Sequence, residues 1–104
     1  MHSAVADHRP ALAALCRRFG VARLEVFGSA TREGAFDPAR SDVDFLVEFG
    51  PAADGLTAYI DFKEALEALV GRPVDLVERR AVEQSRNYIR RRRILTEAQS
   101  VYGP

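Results

Sequence analysis

Leu24-Glu25-Val26-Phe27-Gly28-Ser29, followed after a polar stretch by Asp42-Val43-Asp44-Phe45-Leu46-Val47-Glu48-Phe49, is the part of this 104-residue chain whose reading decides the fold. Both runs are rich in β-branched and aromatic residues, and each reads as a strand. The first ends at a Gly-Ser turn. The second opens on two acids at alternating positions, which a strand places on one face about 6.6 Å apart at a rise of about 3.3 Å per residue. Their mutual repulsion is about 2.5 kcal/mol at an effective dielectric of about 20. A half-buried strand carries that penalty best when a cation offsets it, so the pattern points to a divalent metal and, through the metal, to a nucleotide.

Working outward, Asp7 to Phe19 reads as an amphipathic helix, with Leu12, Leu15, Cys16 and Phe19 on one stripe and Gly20 as its stop. Val21 to Phe27 is the first strand. Ser29 can cap a short helix from Ser29 to Glu33, and Gly34 to Ser41, with Pro38, is a loop. Asp42 to Phe49 is the second strand, its apolar density suggesting cover on both faces, and Gly50-Pro51 breaks it. Thr57 to Val70 is a helix with Ile60, Leu66 and Leu69 on its apolar side and Gly71 closing it. Val74 to Val77 is a third strand, started by Pro73. The remainder, Ala81 to about Ser100, reads as helical, with Tyr88, Ile89, Leu95 and Ala98 available for packing. The order α-β-α-β-α-β-α predicts an α/β (α+β) fold, a small mixed sheet flanked by helices. No repeat, linker or low-complexity segment interrupts it, so residues 1–104 are expected to form a single domain.

Bulk composition narrows the function classes. The chain is 47% hydrophobic and 29% charged, ordinary for a globular protein and unlike a disordered one. Its formal net charge is zero, so no global field draws in nucleic acid or membrane, and electrostatic function must come from local patches. Fourteen of the fifteen basic residues are Arg, whose planar fork suits carboxylates and phosphates. Cys16 is alone, cannot make an internal disulfide and is expected in the core of a protein from a reducing, cytoplasmic setting. Met1 to Pro10 is too polar for a signal peptide, and no apolar run reaches membrane-spanning length.

The third strand reads Pro73-Val74-Asp75-Leu76-Val77, another acid between hydrophobic neighbours. If it lies beside the second strand, Asp75 approaches the same centre as Asp42 and Asp44. Three carboxylates beside a Gly-Ser turn suit phosphoryl transfer: metals bridge phosphate oxygens and neutralise developing charge, while turn N–H groups and the Ser29 hydroxyl hold a triphosphate. The plainer readings are an exposed acidic strand, an edge-strand solubility charge at Asp75 and an ordinary strand-to-helix turn at Gly28-Ser29.

Phe27-Gly28-Ser29-Ala30-Thr31-Arg32 followed by Ser41-Asp42-Val43-Asp44 resembles the Gly-Ser…Asp-x-Asp signature of the polymerase β-like nucleotidyltransferases. It looks most like the minimal nucleotidyltransferases of prokaryotes, over roughly Leu24 to Val77, with some similarity in the tail from Asn87 to Tyr102. The resemblance implies that Asp42 and Asp44 bind two Mg²⁺ ions. It further implies that Asp75 shares one metal and helps activate the acceptor hydroxyl, and that Gly28, Ser29 and Arg32 contact the phosphates of ATP. Two departures concern the loop: Glu33 stands where Gly is frequent, and Ala30 to Ser41 is somewhat long.

Larger relatives add a second domain that grips the base or the acceptor, and this chain has no residues left for one. The resemblance therefore implies a partner: a helical HEPN-domain ribonuclease toxin, which an antitoxin of this kind neutralises by transferring AMP to a toxin tyrosine. Charge added beside a catalytic Arg–His pair would block RNA binding. The chain is not itself that toxin, because His2 and His8, the only histidines, both precede the first arginine, Arg9. Alternatives are an antitoxin that works by occlusion without catalysis, and transfer to a small-molecule hydroxyl such as an aminoglycoside's. Arg90-Arg91-Arg92-Arg93 wraps more than a full helical turn and reads as a solvated surface, or else as a contact to an acidic patch of a partner; no direct nucleic-acid or membrane binding is expected. Tyr59, Tyr88 and Tyr102 read as packing residues, and His2 and His8 carry no assignment.

Overall fold

A computed structural model describes residues 2–31, 42–53 and 55–103. The chain opens with a single-turn helix, α1 (Ser3–Ala6), and a longer one, α2 (Arg9–Arg18), with Pro10 in its first turn. Strand β1 (Val21–Phe27) runs into a 3₁₀ turn over Gly28–Thr31. After the segment outside the described residues come β2 (Val43–Phe49), α3 (Gly55–Val70) and β3 (Val74–Glu78). Two helices, α4 (Arg79–Glu83) and α5 (Tyr88–Glu97), and a last strand β4 (Gln99–Tyr102) complete it.

The sheet is mixed, in the order β3-β2-β1-β4, as the sequence predicts in kind. β1 is antiparallel to both β2 and β4, whereas β2 and β3 are parallel. Alternation along the strands splits the buried residues between two faces. Leu24, Val26, Val43, Phe45, Val47, Val74 and Leu76 join Leu12 and Cys16 of α2 and Phe62, Leu66 and Val70 of α3 in the main core. The opposite face holds a smaller cluster of Phe27 and Leu46 under Val82 of α4 and Ile94 of α5. The expectation that β2 is covered on both faces is thus met.

Several sequence expectations need correction. The first helix is Arg9–Arg18 rather than Asp7 to Phe19, with α1 as a separate turn before it. Ile60 lies 45% exposed on α3, whose core positions are Ala58, Phe62, Leu66 and Val70. The region read as one helix from Ala81 to Ser100 is α4, α5 and a strand. Asn87 separates the helices by accepting a hydrogen bond from the Arg90 N–H, an N-cap. Tyr88 and Ile89 are 64% and 69% exposed, so neither packs; Ile94 does, with Leu95 and Ala98 at its margin. Tyr59 and Tyr102 do pack against the main core, and Cys16 is fully buried there, where burial pushes its thiol up to about 12. Among the described residues no helix is long and apolar enough to cross a membrane.

Candidate active site at the Gly28 turn and the ends of three strands

Asp44 is the hub of the site. In the antiparallel pairing its neighbour is Phe27, the residue before Gly28. In the parallel pairing its neighbour is Asp75. Because paired residues on adjacent strands project to the same side, about 4.8 Å apart, the two carboxylates share the face that also carries Phe27 and Leu46. Asp42 lies one residue before β2 rather than within it, with the same alternation as Asp44. Asp42 and Asp75 are exposed and Asp44 is partly buried. The sequence-predicted trio is therefore brought together, at the end of the sheet where β1 finishes and β2 and β3 begin.

The trio's electrostatics follow from this placement. The Asp44 carboxyl is raised from 3.8 to about 6, first by burial, then by the Asp75 and Asp42 carboxylates. A group so placed gains from any cation that replaces its proton. The donors are hard oxygens, which suit Mg²⁺; that ion is commonly held by one or two carboxylates together with substrate phosphates and water. Among the described residues, no three Asp, Glu, His or Cys side chains form a group that could by itself hold a metal ion.

Gly28 is required here for two physical reasons. Its φ of +71° lies in the left-handed region that L side chains rarely adopt. A Cβ at this position would also stand 2.5 Å from Asp44 Oδ2, so the turn leaves the carboxylate its room. The turn is locked by the Thr31 hydroxyl, which donates to the Gly28 carbonyl at 2.7 Å, and from outside by the His2 N–H, which donates to the Ala30 carbonyl at 2.8 Å. Ser29 is partly buried in this turn. The expected helix from Ser29 is a 3₁₀ turn over Gly28–Thr31 instead; Arg32, Glu33 and the loop to Ser41 lie outside the described residues.

Helix α3 braces β3 on either side of Asp75. The Val74 N–H donates to Glu67 Oε2 at 3.1 Å, and the Tyr59 hydroxyl donates to the Leu76 carbonyl. Val43 N–H donates to the Pro73 carbonyl at 3.1 Å, tying the starts of β2 and β3 together. Since β3 is an edge strand, these bonds fix an acid that would otherwise sit on the least constrained strand of the sheet.

Sequence reading missed one further part of this face. Glu25, only 5% exposed, is held by Arg79, with Arg23 Nε 3.2 Å from its Oε1. Arg79 follows β3, so its guanidinium spans β2 to reach β1. An acid at an inward strand position was visible in the sequence, but its partner lies 54 residues on. Among the described residues, a cleft lined by Val47, Glu48, Phe49, Glu78, Arg80 and Glu83 lies at the far end of β2.

Comparison with known proteins agrees with this geometry. The nucleotidyltransferase domain family matches residues 9–98. A 63-residue stretch is 48% identical to the protein adenylyltransferase MntA of Thermococcus cleftensis, covering 61% of this chain and 61% of that protein. A solved structure described as a minimal nucleotidyltransferase is 33% identical, with a TM-score of 0.72 and 95% of each chain covered. The fold is also that of a chain in the complex of a tri-AMPylated Shewanella oneidensis HEPN toxin with an MNT antitoxin. That match is 17% identical, with a TM-score of 0.62, and covers 95% of this chain and 72% of that one. With its Gly-Ser turn, its paired strand acids and a family match over nearly its whole length, the chain belongs to the nucleotidyltransferase domain family.

Proposed function

We propose that the chain is a Mg²⁺-dependent nucleotidyltransferase that moves AMP from ATP to a tyrosine hydroxyl of a partner HEPN-domain ribonuclease toxin, neutralising it as an antitoxin. The observation that carries this reading is the pairing of Asp44 with Asp75 directly beside the Gly28 turn. The adenylyltransferase MntA and the AMPylated toxin complex supply the reaction and the kind of acceptor by kinship. Asp42 and Asp75 are exposed, which suits an acceptor that arrives as part of another protein.

In this reading Asp42 and Asp44 would hold two Mg²⁺ ions and Asp75 would share one of them. Bound Mg²⁺ supplies charge neutralisation along the triphosphate and at the leaving pyrophosphate. The backbone N–H groups of the Gly28-Ser29 turn and the Ser29 hydroxyl hold phosphate oxygens, and Arg32 adds a guanidinium contact. Asp75, on its braced edge strand, takes the proton of the acceptor hydroxyl. The hydroxyl oxygen forms its bond to the α-phosphorus as the bond to the bridging oxygen breaks, and pyrophosphate leaves with the electron pair.

Incubation with ATP labelled in its α-phosphate, Mg²⁺ and the HEPN-domain partner is expected to label the partner. Asp42→Asn/Asp44→Asn is expected to lower labelling by about 10³-fold, the equivalent of about 4 kcal/mol of lost charge stabilisation. Undiminished labelling by the double variant would overturn the assignment of these carboxylates. A variant that still neutralises the toxin without labelling it would show that occlusion suffices.

A further inference from the structure

Helix α5 turns an unusual face outward. Tyr88 and Ile89 are 64% and 69% exposed, and Arg92 and Arg93, one turn on, are also exposed. Residues four apart share a helix face, so Tyr88 lies beside Arg92 and Ile89 beside Arg93. With Thr96 and Glu97 they line a shallow groove of about 400 Å³. The charges here oppose the helix's own stability. The first turn has no acid and instead carries Arg90 and Arg91, at the positive end of the macrodipole where anions are favoured. Arg93 has Glu97 at 3.5 Å, and Arg91 donates to the Ser85 carbonyl. Among the described residues, Arg90 and Arg92 have no ion-pair partner.

We propose that this face seats the acceptor protein through a surface that presents carboxylates around an apolar centre. The proposal rests on the partner-directed reaction proposed above and gives it a docking surface. Three observations choose such an occupant. Arg92, which has no ion-pair partner among the described residues, calls for an anion. The exposed Tyr88–Ile89 pair calls for apolar cover, and an aromatic residue beside arginines is the composition of interface centres. α5 packs against both β1 and the Gly28–Thr31 turn, so a protein seated on its outer side comes up beside the nucleotide turn. Nucleic acid fits less well: the chain's formal net charge is zero, whereas polyanion binders work through a net basic field.

The test is calorimetric titration of the HEPN-domain partner into the wild-type chain, Arg92→Glu/Arg93→Glu and Tyr88→Ala/Ile89→Ala, with the melting shift on ATP–Mg²⁺ measured for each. All four side chains are exposed, so the fold is expected to persist. Each variant is expected to bind the partner at least about 30-fold more weakly while keeping the wild-type melting shift with ATP–Mg²⁺. Undiminished partner binding by both variants, with the wild type binding, would overturn the docking face and leave the reaction standing. Failure of the wild type to bind would overturn the partner-directed reaction and this face together. Displacement of the partner by a 20-nucleotide single-stranded RNA that binds wild type but not Arg92→Glu/Arg93→Glu would reassign the face to nucleic acid.

Discussion

The two faces of the four-stranded sheet are built from the same strands and do opposite things. Towards α2 and α3 every inward residue is apolar, and the rings of Phe19, Phe49 and Phe62 meet at centroid distances of 5.7 and 6.0 Å. Towards α4 and α5 only a small cluster around Phe27 and Leu46 is dry; beyond it lie Glu25, Asp44 and Asp75. Period-2 alternation makes this division possible, because one strand can send its stabilising residues one way and its charged residues the other. The first face carries the fold. The second tolerates like charges side by side because the first has already fixed the strands.

Breaking the dry face should have the largest effect. Phe62→Ala removes a fully buried ring and is expected to cost about 3–5 kcal/mol, a large part of a small domain's stability. Chemical denaturation should report it as a lowered midpoint. A loss below about 1 kcal/mol would mean that this core is not what holds the sheet together.

At the seam between the faces, Gly28→Ala combines left-handed backbone with a Cβ placed against Asp44 Oδ2. We expect a stability loss of about 1–3 kcal/mol and, because the carboxylate must move, a weaker melting shift with ATP and Mg²⁺. Normal stability and a normal shift would contradict the close approach of turn and acid.

The charged face should answer with the smallest effect and the opposite sign. Asp44 is raised from 3.8 unfolded to about 6 folded, so the fold binds this proton more tightly than the unfolded chain does. Without metal, stability therefore falls as pH rises from about 4 to about 6 and stays lower above that. Asp44→Asn removes the penalty. In metal-free buffer it is expected to stabilise the protein by about 1–2 kcal/mol at pH 7.5, after allowance for solvent screening of a half-buried group. The gain should vanish at pH 4. A variant less stable than wild type at pH 7.5 without metal would show that Asp44 is held by attraction instead.

The motifs of the site could be read directly because their signals are local. β1 ends where an apolar run meets Gly28, α3 closes at Gly71, and an acid between hydrophobic residues marks Asp75 on its strand. β4 could not be read in this way. Gln99-Ser100-Val101-Tyr102 is short and half polar, and it is a strand because β1 offers it a free edge, with Leu24 opposite Tyr102 and Val26 opposite Gln99. The break between α4 and α5 did leave a signal, Asn87 as an N-cap ahead of Tyr88. Tyr88 and Ile89 are hydrophobic without being buried, because apolar residues also form exposed surface.

Which groups this protein has for chemistry is written residue by residue: a glycine that can turn with positive φ, a serine after it, and three acids in or beside strands. Those follow from backbone freedom and side-chain type, which each residue carries wherever the chain goes. It is folding that stands Asp75 beside Asp44, carries Arg79 across a strand to Glu25 and leaves one side of α5 open. Register and cover depend on pairing between segments far apart in the chain, and no local pattern encodes which segments will meet.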